Sequence, residues 1–265
     1  MLSRSDVEAL LEAVRAISHR ATTLIVEKLD AGFTFRQKAD RSFVTEIDIA
    51  AEELIRDAIL RQFPDHGIVG EELGSVASDA EFQWTIDPID GTMSLRHGIP
   101  LFGSIVGVTF RGAPLVGVIA LPQLGRTYYA GRDLGAWRND TRISIHDVEN
   151  GEAIEDEVIA TGERRQFVRG GRAEEFDRLM TSHPSVRTYC DCFGHGLAAE
   201  GSVGAMLDFD LRAWDIGATE ILITEAGGKF VRLGGEGSGA EARHDLLFGK
   251  PAVVDWVIDT IRYRE

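Results

Sequence analysis

Apolar residues recur every three to four positions in two early segments of the chain, which is the spacing of one helix face. Between Ser5 and Lys28 this spacing predicts an amphipathic helix ending near Asp30–Gly32, with its apolar face formed by Val7, Leu10, Leu11, Val14, Ile17, Leu24 and Ile25. Thr45 and Asp48 match a capping box, and they predict a second helix that Pro64 stops. Its apolar stripe comprises Leu54, Ile55, Ala58 and Ile59.

Short apolar runs bounded by turn residues follow the second helix. They occur at Gly67–Gly70, Phe82–Ile86, Phe102–Phe110 and Pro114–Pro122. The turn "RGAP" between the last two runs predicts a meander of antiparallel strands. The first half of the chain therefore predicts a large, mainly antiparallel sheet.

The second half alternates strand-like and helix-like segments, which predicts a mixed α/β arrangement. Strands are expected in Glu157–Gly162 and Ser185–Cys190, and helices in Ala173–Met180, Gly194–Leu207, Trp214–Gly228 (with Gly227 at the C-cap) and Pro251–Ile261. We expect two closely packed subdomains, residues 1–145 and 146–265, joined near Ile145 to Ile154.

The formal net charge of −15 over 265 residues argues against nucleic acid or an anionic membrane as a partner. The apolar runs are shorter than the ~20 residues of a membrane-spanning helix, and the N-terminus lacks a signal-peptide core, so we expect a cytoplasmic protein. A small anionic substrate stays compatible with this charge if bound cations invert the local sign. Cys190 and Cys192 are expected to be reduced packing residues.

The segment "WTIDPIDGT" places two carboxylates, Asp87 and Asp90, directly behind an apolar run. Carboxylates this close repel one another unless a proton or a cation lies between them, and oxygen ligands suit Mg²⁺. Gly91 permits a close backbone approach, and Thr92 offers a hydroxyl and an N–H, which together predict a phosphate cradle. The alternative is an Asx-turn in which Asp90 caps its own backbone.

Further carboxylates occupy similar positions elsewhere in the chain. Glu71 and Glu72 follow the apolar run "IVG", although a glutamate pair is more often at the surface. Asp215 opens an apolar segment, where it could bind a metal or simply cap a helix.

Three of these segments together resemble the inositol monophosphatase family of metal-dependent sugar-phosphate phosphatases. They are "GEE" at Gly70–Glu72, "DPIDGT" at Asp87–Thr92 and "WDIGATEILITEAGG" at Trp214–Gly228, and the similarity begins at Lys38–Asp48. The resemblance implies a layered αβαβα sandwich with the metals between its halves. It also implies a homodimer that hydrolyses a small phosphomonoester with two or three Mg²⁺ ions.

The same resemblance implies the metal ligands. One Mg²⁺ would be bound by Glu71, Asp87 and the backbone carbonyl of Ile89. A second Mg²⁺ would be bound by Asp87, Asp90 and Asp215.

The resemblance also implies the catalytic machinery. Thr92 and Asp48 would orient and deprotonate a water that the metal beside Glu71 activates. The amides of Gly91 and Thr92 would hold the phosphate. Lys38 matches a family lysine near the metals and could favour phosphate binding, or it could be an exposed, solvated lysine.

Residues Thr188–Asp215 and Pro100–Val108 look more like the histidinol-phosphate phosphatase branch of the family. Asp191 would then attract the ammonium group of the substrate, alongside Asp90 and Asp208 on the substrate side. Asp191 could equally be a capping or surface residue. Asp208 stands where the family usually has a longer Glu, and Met93 replaces a common polar residue, so the exact substrate stays open.

Other readings stay open beside the histidinol-phosphate hypothesis. The alternatives are a myo-inositol monophosphatase, a nucleotide-directed or bisphosphate-directed relative, and a catalytically silent binding protein. His97 and His195 are interpreted as ordinary polar or packing residues, because two-metal hydrolysis needs no imidazole base. The glycine-rich stretch Leu233–Gly239 lacks the context of a nucleotide-binding motif and is interpreted as a surface loop.

Overall fold

The computed structural model describes residues 2–38, 43–77, 79–148, 154–237 and 242–262. The helices are α1 (Arg4–Ala31), α2 (Glu46–Gln62), α3 (Thr92–Arg96), α4 (Arg164–Arg169), α5 (Ala173–Ser182), α6 (Asp191–Ala199), α7 (Thr219–Glu225) and α8 (Pro251–Ile261). The first-half strands are β1 (Phe35–Gln37), β2 (Phe43–Thr45), β3 (Gly67–Gly70), β4 (Gly74–Val76), β5 (Phe82–Asp90), β6 (Gly103–Phe110), β7 (Ala113–Leu121), β8 (Arg126–Gly131), β9 (Gly135–Arg138) and β10 (Thr141–Ile143). The remaining strands are β11 (Ile159–Thr161), β12 (Val186–Thr188), β13 (Ala205–Leu211), β14 (Lys229–Glu236) and β15 (Arg243–Gly249).

The two N-terminal helices confirm the predictions from helical spacing. In α1 the predicted apolar face is buried at most positions, and Ser3 forms a capping box with Asp6. In α2 the predicted capping box is present, because Thr45 accepts from the N3 backbone N–H while the Asp48 carboxylate accepts from the Thr45 N–H. This cap fixes Asp48 at the very start of the helix.

A large sheet occupies the first half of the chain, in the strand order β10-β9-β8-β7-β6-β5-β3-β4. Its strands pair antiparallel except for β3 and β5, which run parallel. The predicted meander is thus confirmed. Because β3 and β5 run parallel, the ends of both strands, Gly70 and Asp90, lie at the same edge.

The second sheet has the order β12-β11-β13-β15-β14, with β12, β11 and β13 parallel and the other pairs antiparallel. Helices α6 and α7 share one buried apolar cluster with both sheets. Helices α1 and α2 cover the outer face of the first sheet, and α4, α5 and α8 cover that of the second. The layers are therefore αβαβα, as expected.

Two predicted helices in the second half are wrong in their bounds. The segment Gly194–Leu207 is not one helix, because α6 ends at Ala199 and Gly201 adopts a φ of +74° before β13 begins. The segment after Trp214 turns first and becomes helical only at Thr219. There Gly217 packs so closely on the first sheet that a Cβ would lie 2.1 Å from Thr85 Oγ1.

The predicted connection between the halves lies partly outside the described residues, since 149–153 are not described, and the boundary at residue 145 stays a prediction. The interpretation of Leu233–Gly239 as a surface loop is wrong for residues 233–236, which belong to β14, a strand that pairs with β15, while residues 238 and 239 lie outside the described residues. Within the described parts of the chain, no helix combines the length and apolar character needed to cross a membrane.

Candidate active site

The end of β5 forms the floor of the site. Asp87 and Asp90 belong to this strand, and Gly91 follows with a φ of +86° before Thr92 begins α3. A Cβ on Gly91 would lie 3.1 Å from the Leu101 carbonyl oxygen and 3.2 Å from Asp191 Oδ2. The left-handed backbone and this crowding both require glycine.

Asp87 lies at the centre of a group of carboxylates. Its side chain is buried, and Oδ1 has no hydrogen-bond partner within the described structure. Burial raises the pKa of Asp87 well above its usual value, and the negative charges of Glu71, Asp90, Asp215 and Asp48 raise it further. An orphaned carboxylate oxygen surrounded by like charges fits a position that a cation would complete.

Asp90 and Asp215 accept backbone hydrogen bonds from other parts of the fold. Asp90 Oδ2 accepts from the Cys192 N–H at the start of α6. This hydrogen bond connects the two halves of the chain, whereas the Asx-turn alternative predicted a bond from Asp90 to its own neighbouring backbone. Asp215 Oδ2 accepts from the Arg212 N–H at 2.7 Å, and the residue lies four positions before α7, so it does not cap that helix. Burial raises the pKa of Asp215 to about 8.

Glu71 and Glu72 lie in the turn after β3, facing Lys38. Lys38 Nζ is 2.9 Å from Glu71 Oε1 and 2.6 Å from Glu72 Oε1. The Glu72 side chain is only 4% exposed and that of Lys38 22%, so neither is the solvated surface group that the alternatives described. Burial alone would lower the pKa of Lys38, but the two glutamates raise it overall. Lys38 thus supplies positive charge at the edge of the cluster of carboxylates.

Asp48 and Thr92 meet across the site from different helices. Thr92 Oγ1 is 3.4 Å from Asp48 Oδ1 and 3.1 Å from the Ile89 carbonyl oxygen. The other oxygen of Asp48 accepts from the Thr45 N–H at 2.9 Å. Burial raises the pKa of Asp48 to about 6, so it exchanges a proton close to neutral pH.

Asp191 forms the opposite wall, as the first residue of α6. Its backbone is left-handed, with a φ of +61°, a conformation that Asp tolerates better than most residues. Burial, together with the negative charges of Asp208 and Glu163, raises the pKa of Asp191 to about 7. Its carboxylate lies next to Gly91 and therefore beside the floor of the site.

Asp208 lies near Asp191 and is only 1% exposed, and its Oδ1 has no hydrogen-bond partner among the described residues. Its Oδ2 is 3.3 Å from Nε2 of His195, whose Nδ1 lies 2.8 Å from the Thr219 hydroxyl. His195 is therefore a buried packing residue with a defined polar partner. Direct contact between Asp208 and a substrate stays a prediction, and its burial favours an indirect role.

Sequence reasoning missed Glu52, which lies one helical turn after Asp48. Its carboxylate is fully buried and accepts hydrogen bonds from the Glu72 and Leu73 N–H groups at 2.8 and 3.1 Å. The signal was present in the sequence, since a charged residue at this position interrupts the helix face that is otherwise buried.

The donor groups suit a hard divalent cation, because they are carboxylate and carbonyl oxygens. As the side chains stand, no three His, Cys, Asp or Glu residues of the described ranges are yet placed to hold a metal ion. One oxygen of each proposed ligand already accepts a hydrogen bond: Glu71 from Lys38, Asp90 from the Cys192 N–H and Asp215 from the Arg212 N–H. The chemistry of the site therefore fits Mg²⁺.

The five-layer αβαβα fold carries a cluster of carboxylates to which both halves of the chain contribute. The sequence matches the inositol monophosphatase family over residues 6–259. The chain therefore belongs to this family of phosphatases.

Curated relatives carry three different names. A histidinol-phosphatase of Chlorobaculum parvum is 37% identical over 191 residues, 72% of this chain and 73% of the relative. A fructose-1,6-bisphosphatase/inositol-1-monophosphatase of Aquifex aeolicus is 31% identical over 233 residues, 85% of this chain and 84% of the relative. A Nus factor SuhB of Pasteurella multocida is 30% identical over 229 residues, with the same coverage of 85% and 84%.

A solved structure agrees with the fold. The inositol monophosphatase from Anabaena (Nostoc) sp. PCC 7120 superposes with a TM-score of 0.81 at 25% identity, over 97% of this chain and 96% of that chain. The αβαβα sandwich that the resemblance implied is thereby confirmed.

Proposed function

We propose that the protein is a Mg²⁺-dependent phosphomonoesterase whose substrate is L-histidinol phosphate. The observation that carries the proposal is the orphaned, buried Oδ1 of Asp87 among four other carboxylates. Family membership supports the phosphatase activity, and the histidinol-phosphatase relatives support the substrate.

Two cation positions share Asp87 in this proposal. Glu71, Asp87 and the Ile89 carbonyl would hold one Mg²⁺, and Asp87, Asp90 and Asp215 would hold the second. When bound, the ions lower the pKa of a water and neutralise the charge of the phosphate. Glu71, Asp90 and Asp215 each use only one carboxylate oxygen to accept the hydrogen bond from Lys38 or from a backbone N–H. The second oxygen is the one assigned to the metal.

The chain's own residues orient and deprotonate the attacking water. The Thr92 hydroxyl lies within hydrogen-bond distance of Asp48 and of the Ile89 carbonyl. There it can accept a hydrogen bond from the water while it donates one to Asp48. Asp48, with its pKa near 6, takes the proton. The amides of Gly91 and Thr92 hold the phosphate oxygens, and Lys38 adds positive charge nearby.

Asp191 sets the preference for histidinol in this proposal. Its carboxylate is on the wall of the site and offers a partner for the ammonium group of the substrate. Asp208, which contacts His195, adds a second acidic group near Asp191. Inositol carries no ammonium group, so the same wall offers inositol phosphate only hydrogen bonds.

The test is phosphate release from L-histidinol phosphate, myo-inositol 1-phosphate and an adenosine phosphate, with Mg²⁺ and with chelator. Chelator-sensitive preference for histidinol phosphate supports the proposal, whereas preference for inositol phosphate assigns the alternative substrate. No turnover of any ester favours a binding protein. Near-normal turnover by Asp90→Asn under saturating Mg²⁺ contradicts the metal assignment. The proposal also includes a cytoplasmic homodimer, which light scattering and cell fractionation check.

A further inference from the structure

One face of α2 carries three charged residues at helical spacing, Asp48, Glu52 and Arg56. All three are buried, at 0%, 0% and 9% exposure. Charged residues are rarely buried unless they are paired, so each needs a defined partner. Asp48 belongs to the candidate active site, but Glu52 and Arg56 take no part in the proposed reaction.

Glu52 binds the turn that follows β3. Its Oε2 accepts from the Glu72 N–H at 2.8 Å, and its Oε1 accepts from the Leu73 N–H at 3.1 Å. A Cβ on Gly70 would lie only 2.0 Å from Oε1, so glycine at this position is what lets the carboxylate reach the turn. Both oxygens of the carboxylate are therefore committed to this backbone.

Arg56 completes the attachment. Its Nη1 lies 3.1 Å from Glu52 Oε1 and donates to the Gly74 carbonyl oxygen at 2.8 Å. At the first residue of the turn, the Glu71 N–H donates to the Ile86 carbonyl oxygen at 3.1 Å. The turn is thus attached to β5 at its start and to α2 at its end.

We infer that Glu52 is a positioning residue for the metal site, an inference that rests on the proposed function. Glu71 is the first residue of the turn, and its carboxylate is proposed to bind Mg²⁺. By holding the next two amides, Glu52 fixes the direction in which the Glu71 side chain leaves the backbone. Partners that orient metal ligands in this way typically change metal affinity by 10–100-fold when they are mutated.

The same contacts link two parts of the reaction through one rigid element. Asp48 is at the first turn of α2 and Glu52 at the second, so the helix sets the distance between the proposed base and the turn of Glu71. Glu52 therefore serves the geometry of the site without touching substrate or metal.

The test is Glu52→Gln, with Glu53→Gln as the matched control. The glutamine keeps the shape but presents an NH₂ group to one of the two amide donors or to Arg56, which breaks a hydrogen bond. Glu53 is the exposed neighbour on the same helix. We expect calorimetric titration with MgCl₂ to show affinity about tenfold weaker for Glu52→Gln and unchanged for Glu53→Gln. Hydrogen exchange at the Glu72 and Leu73 amides should become faster.

A structural role alone predicts a different pattern. It would lower the melting temperature of Glu52→Gln and leave the Mg²⁺ affinity of the folded protein as in the wild type, and that result would overturn the inference. A fall in kcat at saturating Mg²⁺ with unchanged Mg²⁺ affinity would also overturn it.

If Glu52→Gln does not fold, Glu52→Asp is the second variant. It keeps the charge beside Arg56 but withdraws the carboxylate from the turn, and wild-type Mg²⁺ affinity in this variant would overturn the inference. Failure of the proposed metal site is seen separately, because the wild-type protein would then not bind Mg²⁺, and failure of the proposed substrate is seen as preference for another ester.

Discussion

His195 Nε2 lies 3.3 Å from Asp208 Oδ2, and both side chains are 1% exposed. Removing one partner of a buried hydrogen bond leaves the other group unsatisfied, at a cost of about 1–3 kcal/mol. We therefore expect His195→Leu to lose about 2 kcal/mol of unfolding free energy in urea. His19→Leu, at an exposed position of α1, is the control and should change stability by less than about 0.5 kcal/mol. Equal stability of the two variants would show that the His195–Asp208 contact contributes little.

Asp191→Asn tests the charge of the substrate wall without disturbing its backbone. Asn tolerates the left-handed conformation almost as well as Asp, so the φ of +61° can be kept. We expect KM for L-histidinol phosphate to rise about tenfold, equivalent to about 1.4 kcal/mol, with a clearly smaller change for an aryl phosphate that carries no ammonium group. The ratio of kcat/KM between the two esters is the measurement. An unchanged ratio would assign Asp191 to packing.

Asp87→Asn should have opposite effects on stability with and without metal. Burial and then the charges of the neighbouring carboxylates raise the pKa of Asp87, and a carboxyl whose pKa is raised by folding destabilises the native state above its unfolded pKa of about 3.9. In EDTA at neutral pH we expect the variant to be more stable than wild type.

With saturating Mg²⁺ the order should reverse, because the cation stabilises only the folded wild type. Urea denaturation in the two buffers measures both effects. Asp245→Asn is the comparison, since Asp245 is a partly buried carboxylate of the second sheet and is not among the proposed ligands. A variant that is less stable than wild type in EDTA would contradict the repulsion argument.

His66 should contribute stability that depends on pH. Its Nδ1 accepts from Trp84 Nε1 at 2.9 Å, which requires a deprotonated ring nitrogen, and burial lowers the pKa of His66. A histidine with a lowered folded pKa stabilises the protein fully above its unfolded pKa of about 6.5, and this stability is lost as the pH falls.

The stability difference between wild type and His66→Phe should therefore shrink from about pH 7.5 to about pH 5.5. Urea denaturation of both proteins at the two pH values measures it, and the subtraction removes the titration of the active-site carboxylates. A difference that grows at the lower pH would show that the protonated ring is the stabilising form.

Local patterns predicted those parts of the molecule that local physics decides. The helical spacing of α1, the capping box at Thr45 and Pro251 at the start of α8 all describe residues within a few positions of one another, and the structure agrees with each. The carboxylates of β5 were found for the same reason, since strand, glycine and acid follow one another directly.

The contacts that organise the site could not be found in this way. Asp90 meets Cys192 from 102 positions away, and Asp208 meets His195 only because β13 lies beneath α6. The boundary between α6 and β13 was also missed, because alanine-rich and glycine-containing sequence suits a buried helix and a buried strand equally well. Tertiary packing decided that boundary.

The bond from the Cys192 amide to Asp90 has a consequence for the synthesis of the protein. Four of the five central carboxylates, Asp48, Glu71, Asp87 and Asp90, leave the ribosome more than a hundred residues before Cys192 and Asp215. A nascent or prematurely terminated chain that stops before α6 would lack Asp215, one proposed ligand of the second cation, and Asp191, the wall of the site. The candidate site is therefore complete only once the second half of the chain has been synthesised.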